Sequence, residues 1–310
     1  MTHSLDPTFR SFNSAQASAY AANRGTYSSN IIQEVIAYHD STGGERTVVL
    51  DVGCGTGQAT QSLAPYFSLA SGCDPSKEMI ARAKETGSKG IHYEVLEAEN
   101  LEMSTIVQTG TVDLLTAAMA AHWFQMDRFW PQAALMVKPG GTVALWTQSS
   151  LYCHPSTTNA DGVQKALSHL EDNVLASYET VGNKLSRTMY SQLTMPWSLQ
   201  PPITSFGRSK SDMVCHQWDR DGKLASEKGD FFGGSNEMTL KELADSLRTA
   251  SMVSRWREAN PQIEVEHDCV AITMNAVAEA MGMPTVSHDQ VKIRVGSSTT
   301  LLLFTRAGDE

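Results

Sequence analysis

The stretch Val48-Val49-Leu50-Asp51-Val52-Gly53-Cys54-Gly55-Thr56-Gly57 sets the strongest limit on what this chain can become. Val48 to Val52 is an apolar, β-branched run without alternation, the pattern of a central parallel strand covered on both faces. Glycines at 53, 55 and 57 then end it. Glycine reaches positive φ and lets a ligand approach without meeting a Cβ, and a helix over 58–67 would turn its N-terminus towards the same ligand. Strand, glycine loop and helix together describe a nucleotide-type cofactor site, with an ordinary turn as the plainer alternative.

Spacing narrows the ligand. A dinucleotide fingerprint needs a third glycine three residues after the second, and Gln58 holds that place. No Gly-Lys-Ser/Thr follows to grip phosphates. The order of elements points the same way to an open sheet. Strand-like runs at 47–52, 69–74, 91–96, 112–117 and 142–147 alternate with helical runs at 58–67, 77–86 and 128–137, which implies βαβ units and a mostly parallel sheet. Pro139-Gly140-Gly141 reads as a turn between the last helix and strand. Ile31, Ile32, Val35 and Ile36 share one face of an earlier helix. Beyond residue 150 periodicity is poor until a helix over 237–258, carrying the stripe Leu240, Leu243, Ala244 and Leu247. The runs 291–295 and 299–305, separated by Gly296-Ser297-Ser298, read as a tight antiparallel hairpin.

A chain of 310 residues accommodates this as four segments: an N-terminal cap at 1–45, a core at 46–150, a lid and substrate region at 151–286, and a C-terminal hairpin at 287–310 that completes the sheet. The formal net charge of −10 disfavours nucleic acid and anionic membranes as partners, leaving a small molecule as the default. The N-terminus has no basic stretch followed by an apolar one, and no apolar run is long enough to span a bilayer, so a soluble cytoplasmic protein is expected. Five scattered cysteines without a Cys-x-x-Cys read as reduced thiols, with no metal site. Oligomeric state is not legible.

Three further places carry candidate chemistry. Asp74 ends the second strand, where α/β nucleotide sites place an acid to accept ribose hydroxyls; a turn acid before the helix at Lys77 is the alternative. Glu97-Ala98-Glu99 follows the third strand, where a carboxylate and a backbone N–H can serve an adenine edge. Met119 to Trp123 lie beyond the carboxyl end of the fourth strand, the ligand side of such sheets. His122 there is either a general base or a packed, hydrogen-bonded histidine.

Taken in order, Leu50 to Gly57, Gly72-Cys73-Asp74-Pro75-Ser76 with Met79-Ile80, Glu97 to Leu101, and Ala121-His122-Trp123-Phe124 resemble successive motifs of the class I methyltransferases that use S-adenosylmethionine (SAM), in particular the trans-aconitate methyltransferase-like branch. Tyr20 with Arg24-Gly25-Thr26-Tyr27, and Thr239-Leu240 with Leu247-Arg248-Thr249-Ala250, resemble that branch outside the core. The resemblance implies a Rossmann-like sheet with a helical lid insertion and SAM as cofactor. It implies Gly53, Gly55 and Gly57 around the methionine and ribose of SAM, Asp74 on the ribose diol, and Glu97 with Ala98 at adenine. Tyr20 and Arg24 would close over the cofactor, Arg24 as a partner for its carboxylate. Asp51 and Ala120 are placed with the cofactor contacts, and Trp123, Phe124 and Trp146 with the substrate. The reaction implied is methyl transfer to the O, S or N of a small acceptor, such as a carboxylic acid or a secondary metabolite. A phenol or amine acceptor would use His122 as base, while a polycarboxylate would want cations from the set Arg187, Arg208, Lys210, Arg248, Arg255 and Arg257. A SAM-binding member without transfer activity and a nicotinamide oxidoreductase are the competing readings.

Overall fold

A computed structural model describes residues 13–23, 25–224 and 229–308. Its frame is one eight-stranded sheet of order β3-β2-β1-β4-β5-β8-β6, with β7 also paired to β8. The strands are β1 (Val48–Val52), β2 (Leu69–Asp74), β3 (Ile91–Val95), β4 (Val112–Ala118), β5 (Val137–Cys153), β6 (Val214–Trp218), β7 (Asn236–Thr239) and β8 (Lys292–Thr305). Pairing is parallel from β3 through β5, and β8 is antiparallel to each of β5, β6 and β7. Among these strands β8 alone runs against the rest.

The helices are α1 (Ser14–Asn23), α2 (Ser29–Ser41), α3 (Gln58–Leu63), α4 (Lys77–Thr86), α5 (Met126–Met136), α6 (Ala160–His169), α7 (Val181–Arg187), α8 (Leu240–Leu247), α9 (Ser251–Ala259) and α10 (Cys269–Ala280). Strand periodicity sorts the core into two layers. Val49, Leu114, Ala144, Trp146, Leu301 and Leu303 meet Ile31, Ile32, Val35 and Ile36 of α2 and Leu63 of α3. Their neighbours Leu50, Leu115, Val143, Leu145, Leu302 and Phe304 meet Phe129, Trp130 and Met136 of α5. Helix α2 is thus a layer of the core itself, within the segment expected to form a cap.

The expectations for residues 137–141 and 151–310 need correction. Pro139-Gly140-Gly141 lies inside β5, as an irregularity in its pairing with β4. The interval 151–286 is divided rather than a single lid. Tyr190, Leu193, Leu199 and Phe206 pack on the main core beside Trp130, and β6 joins the sheet. Residues on α6, α8 and α10 (Val163, Leu167, Leu240, Leu243, Val270 and Met274) form a second core with Ile293 and Val295 of β8. The helix expected over 237–258 is instead β7, α8 and α9, because Glu237 and Met238 pair with Arg294 and Ile293. Thr239 then caps α8, accepting from Glu242 N at 3.1 Å while Glu242 Oε2 accepts from Thr239 N at 2.8 Å.

The antiparallel closure at the C-terminus is present, but Gly296-Ser297-Ser298 does not turn. It continues β8, with Gly296 opposite Tyr152 and Ser297 opposite Leu151. The glycine answers a packing need: a Cβ at 296 would stand 2.3 Å from Cδ2 of the buried Phe231 ring. Gly296→Ala should therefore lower stability by about 1–3 kcal/mol, read as a shifted urea midpoint at unchanged slope. An unshifted midpoint would mean that Phe231 does not seat there.

Candidate active site

The glycine loop forms where β1 leaves the sheet. Gly53, Gly55 and Gly57 have φ of +67°, +56° and +88°, a region that side chains with a Cβ rarely adopt. Two of them also lack room: a Cβ on Gly53 would lie 2.6 Å from Ala120 Cβ, and one on Gly57 2.4 Å from Tyr93 Oη. At Gly55 a Cβ would meet nothing within 4 Å. That open side faces a cleft of about 870 Å³, mouth included, lined also by Tyr20, Gln58, Met79 and Phe124.

The two aspartates of the motif separate by role. Asp74 lines the cleft, its Oδ2 accepting from Gly55 N at 3.0 Å and its Oδ1 from Ser76 N at 2.9 Å. A carboxylate oxygen can accept more than one hydrogen bond. Asp51, expected at the cofactor, is fully buried beneath the loop and lines no cleft. Its oxygens accept from the hydroxyls of Thr60 and Thr116, both at 2.7 Å. Burial pushes its carboxyl up to about 6, against the lowering effect of those two hydroxyls.

After β3 the chain turns Ala98 and Glu99, rather than Glu97, to the cleft. Glu97 accepts from Asn100 Nδ2 at 3.1 Å, within its own turn. Glu99 is 4% exposed and accepts from Gln125 N at 2.7 Å, which ties it to the segment after β4.

Beyond β4, Met119 holds φ +53°, an uncommon conformation that recurs at functional sites. Ala120, Trp123 and Phe124 follow it along the cleft wall. His122 is 8% exposed, with Nδ1 3.0 Å from Tyr190 Oη and its ring 4.7 Å from that of Trp123. Burial lowers the imidazole to about 3, so it is neutral at physiological pH. Trp146, expected at the substrate, is fully buried in the α2 layer, edge-on to Tyr27 at 5.5 Å, and lines no cleft. Arg24 lies outside the described residues.

His122 faces a second cleft, of about 2,040 Å³ with its mouth, between the sheet end and the second core. Tyr20, Tyr27, Gln58, Met119 and Trp123 line both clefts, so the two spaces share a wall. Of these, Gln58 entered the sequence reading only through glycine spacing, and Met119 only as part of the segment on the ligand side of the sheet. Tyr27 stood in the N-terminal motif without a role. The polar and charged lining of the second cleft, including Gln148, Glu171, Glu179 and Arg187, comes from segments far apart in the chain and could not be grouped by spacing. Among the described residues no group of His, Cys, Asp or Glu could hold a metal ion, and no helix is long and apolar enough to cross a membrane.

Comparison with known proteins agrees with this geometry. Residues 50–145 match the family model described as a methyltransferase domain. The "Probable S-adenosylmethionine-dependent methyltransferase CRG1" of Saccharomyces cerevisiae is 25% identical over 277 residues, 85% of this chain and 87% of that protein. Methyltransferase cfoB of Aspergillus candidus is 24% identical over 200 residues, 62% of each chain. A solved structure from Anaeromyxobacter dehalogenans, assigned as a type II methyltransferase, superposes with a TM-score of 0.62 at 21% identity, covering 92% of this chain and 97% of that one.

The buttress role of Asp51 has a pH signature. Between about pH 4 and pH 6 the unfolded chain releases a proton that the folded chain keeps, so this group's contribution falls as pH rises, by about 3 kcal/mol in all. Asp51→Asn cannot ionise. The stability difference between wild type and variant, from urea titrations across that window, should decline with pH by that order; a constant difference would refute the assignment.

Proposed function

We propose that this SAM-dependent methyltransferase moves the methyl group of SAM, bound over the glycine loop, to a small-molecule acceptor seated in the adjoining cleft. The observation that carries the reading is the shared wall: a cofactor-sized cleft built on Gly53, Gly55 and Asp74 opens against a larger one at Tyr20, Tyr27, Met119 and Trp123. The donor set of the first cleft suits SAM. It offers the acids Asp74 and Glu99 and no lysine or arginine among the described residues, so a diol and a sulfonium are accommodated where a pyrophosphate would be repelled.

In this reading Asp74 accepts the ribose hydroxyls while Gly55 N and Ser76 N hold its carboxylate in place. Ala98 and Glu99 serve adenine, and Gly53 and Ala120 let the cofactor lie close to the backbone. Tyr20 covers it, and Phe124 closes the floor. Bound SAM supplies an electrophilic methyl group, so the chain's task is to align the acceptor and exclude water. Trp123 and Met119, at the junction, do the aligning. His122 is held neutral and offers a hydrogen bond to the acceptor rather than a titrating base.

The finer likeness to the trans-aconitate methyltransferase-like branch we read as kinship of motifs, not of acceptor. Of the six cations considered for a polycarboxylate, only Arg187 lines the acceptor cleft. Its guanidinium is already held by Asp172 at 2.8 Å and Glu179 at 2.9 Å.

Calorimetry should detect SAM and S-adenosylhomocysteine (SAH) binding, and Asp74→Asn should weaken SAM about tenfold by removing charge-assisted acceptors. A folded variant with unchanged affinity would reject the role of Asp74, and undetectable SAM binding would sink the reading. In SAH-release assays, kcat should show no inflection from His122 between pH 5 and pH 8. An inflection that His122→Gln abolishes would restore the histidine as a base.

A further inference from the structure

We infer that the acceptor is a cationic, partly apolar molecule, whose ammonium group is separate from the atom that receives the methyl group and is met by Glu171 in the wall of the acceptor cleft. This deepens the methyl-transfer reading and rests on it.

The cleft's charge inventory is short. Among the described residues its charged side chains are Glu171, Glu179 and Arg187. Arg187 is spoken for twice. Its Nη1 lies 2.8 Å from Asp172, and its Nε and Nη2 lie 2.9 Å and 3.1 Å from the two oxygens of Glu179. Its charge is therefore neutralised on the spot, and an anionic acceptor would have to break that arrangement to use it. Glu171 has no basic side chain within the 4 Å of an ion pair among the described residues, and it is half-buried in the cleft. Burial raises its carboxyl, an effect that the Ser150 hydroxyl and the charge of Arg187 only partly offset. A carboxylate held this way is costly alone and favourable beside a cation.

Two further features fit the same ligand. Part of the remaining wall is hydrocarbon, from Leu151, Leu167, Leu170, Leu175, Leu243 and Val253, set among uncharged polar residues such as Gln148 and Asn183. At the junction with the cofactor cleft, Tyr20, Tyr27 and Trp123 present aromatic groups, which attract organic cations over their faces. Partial burial of Glu171 strengthens the field of that unbalanced acid.

A matched set of probes that differ only in charge tests this: octylamine, octanol and octanoate, titrated by calorimetry into wild type and Glu171→Gln, each saturated with SAH. Octylamine should bind wild type at least about tenfold more tightly than octanoate, and Glu171→Gln should erase most of that preference. Octanoate binding as tightly as octylamine would overturn the inference, as would a preference that survives in Glu171→Gln. The SAH titration that precedes each run separates the two readings. SAH bound without the amine preference removes this inference alone, whereas a protein that binds no SAH removes the methyl-transfer reading and this one with it.

Discussion

Everything at the ligand side of the sheet depends on a carboxylate fully buried beneath it. Asp51 sits in the middle of β1 and receives the hydroxyls of Thr60 and Thr116, so one buried group joins the central strand to α3 on one side and to β4 on the other. The glycine loop starts two residues later and the Met119–Phe124 loop three residues after Thr116. Both loops are thereby referenced to one point, and the contact of Gly53 with Ala120 leaves no space for either to drift. Burying an acid is expensive, as its raised titration shows. Two short hydroxyl donors reduce that cost without removing it.

The cofactor half of the site was legible because its chemistry resides in backbone conformation and strand ends. Glycines at positive φ cannot be disguised by packing, and Asp74 ends β2 where the sequence pattern ends it. Legibility failed where one residue of offset decides which way a side chain points. Glu97 and Glu99 are both acids after β3, and only the turn closed by Asn100 N on Glu97 O decides that Glu99 faces in. Trp146 fails for the same reason on a strand. It alternates with Leu145, and the face it falls on is that of α2. Gly296 misled in the opposite sense, since a glycine kept for a ring's close approach reads like one kept for a turn.

The acceptor half resisted reading for a different reason. Its walls come from short elements that acquire an inside only once β5 and β8 extend past the sheet and the second core assembles on them. Neither α7 nor α8 exceeds eight residues, too short for periodicity to declare a buried face by itself. Charge was equally opaque. The six cations named for a polycarboxylate acceptor could not be sorted by sequence, yet Arg248 pairs with Asp245 and Arg257 with Asp268, so part of that charge is met by neighbouring acids.

That distribution bears on how such a chain divides its work. Among the described residues the cofactor cleft carries Asp74 and Glu99, the acceptor cleft carries Glu171 and Glu179, and the one arginine lining either is bound by acids. A ligand entering either cleft thus meets negative potential, in line with the whole chain's charge of −10. For a sulfonium cofactor this is favourable. For the proposed cationic acceptor it would act as a filter, because repulsion between like charges discriminates against anions before any shape is read. On the proposed reading, the glycine loop specifies what donates the methyl group, and the sign of charge in the second cleft specifies what is admitted to receive it.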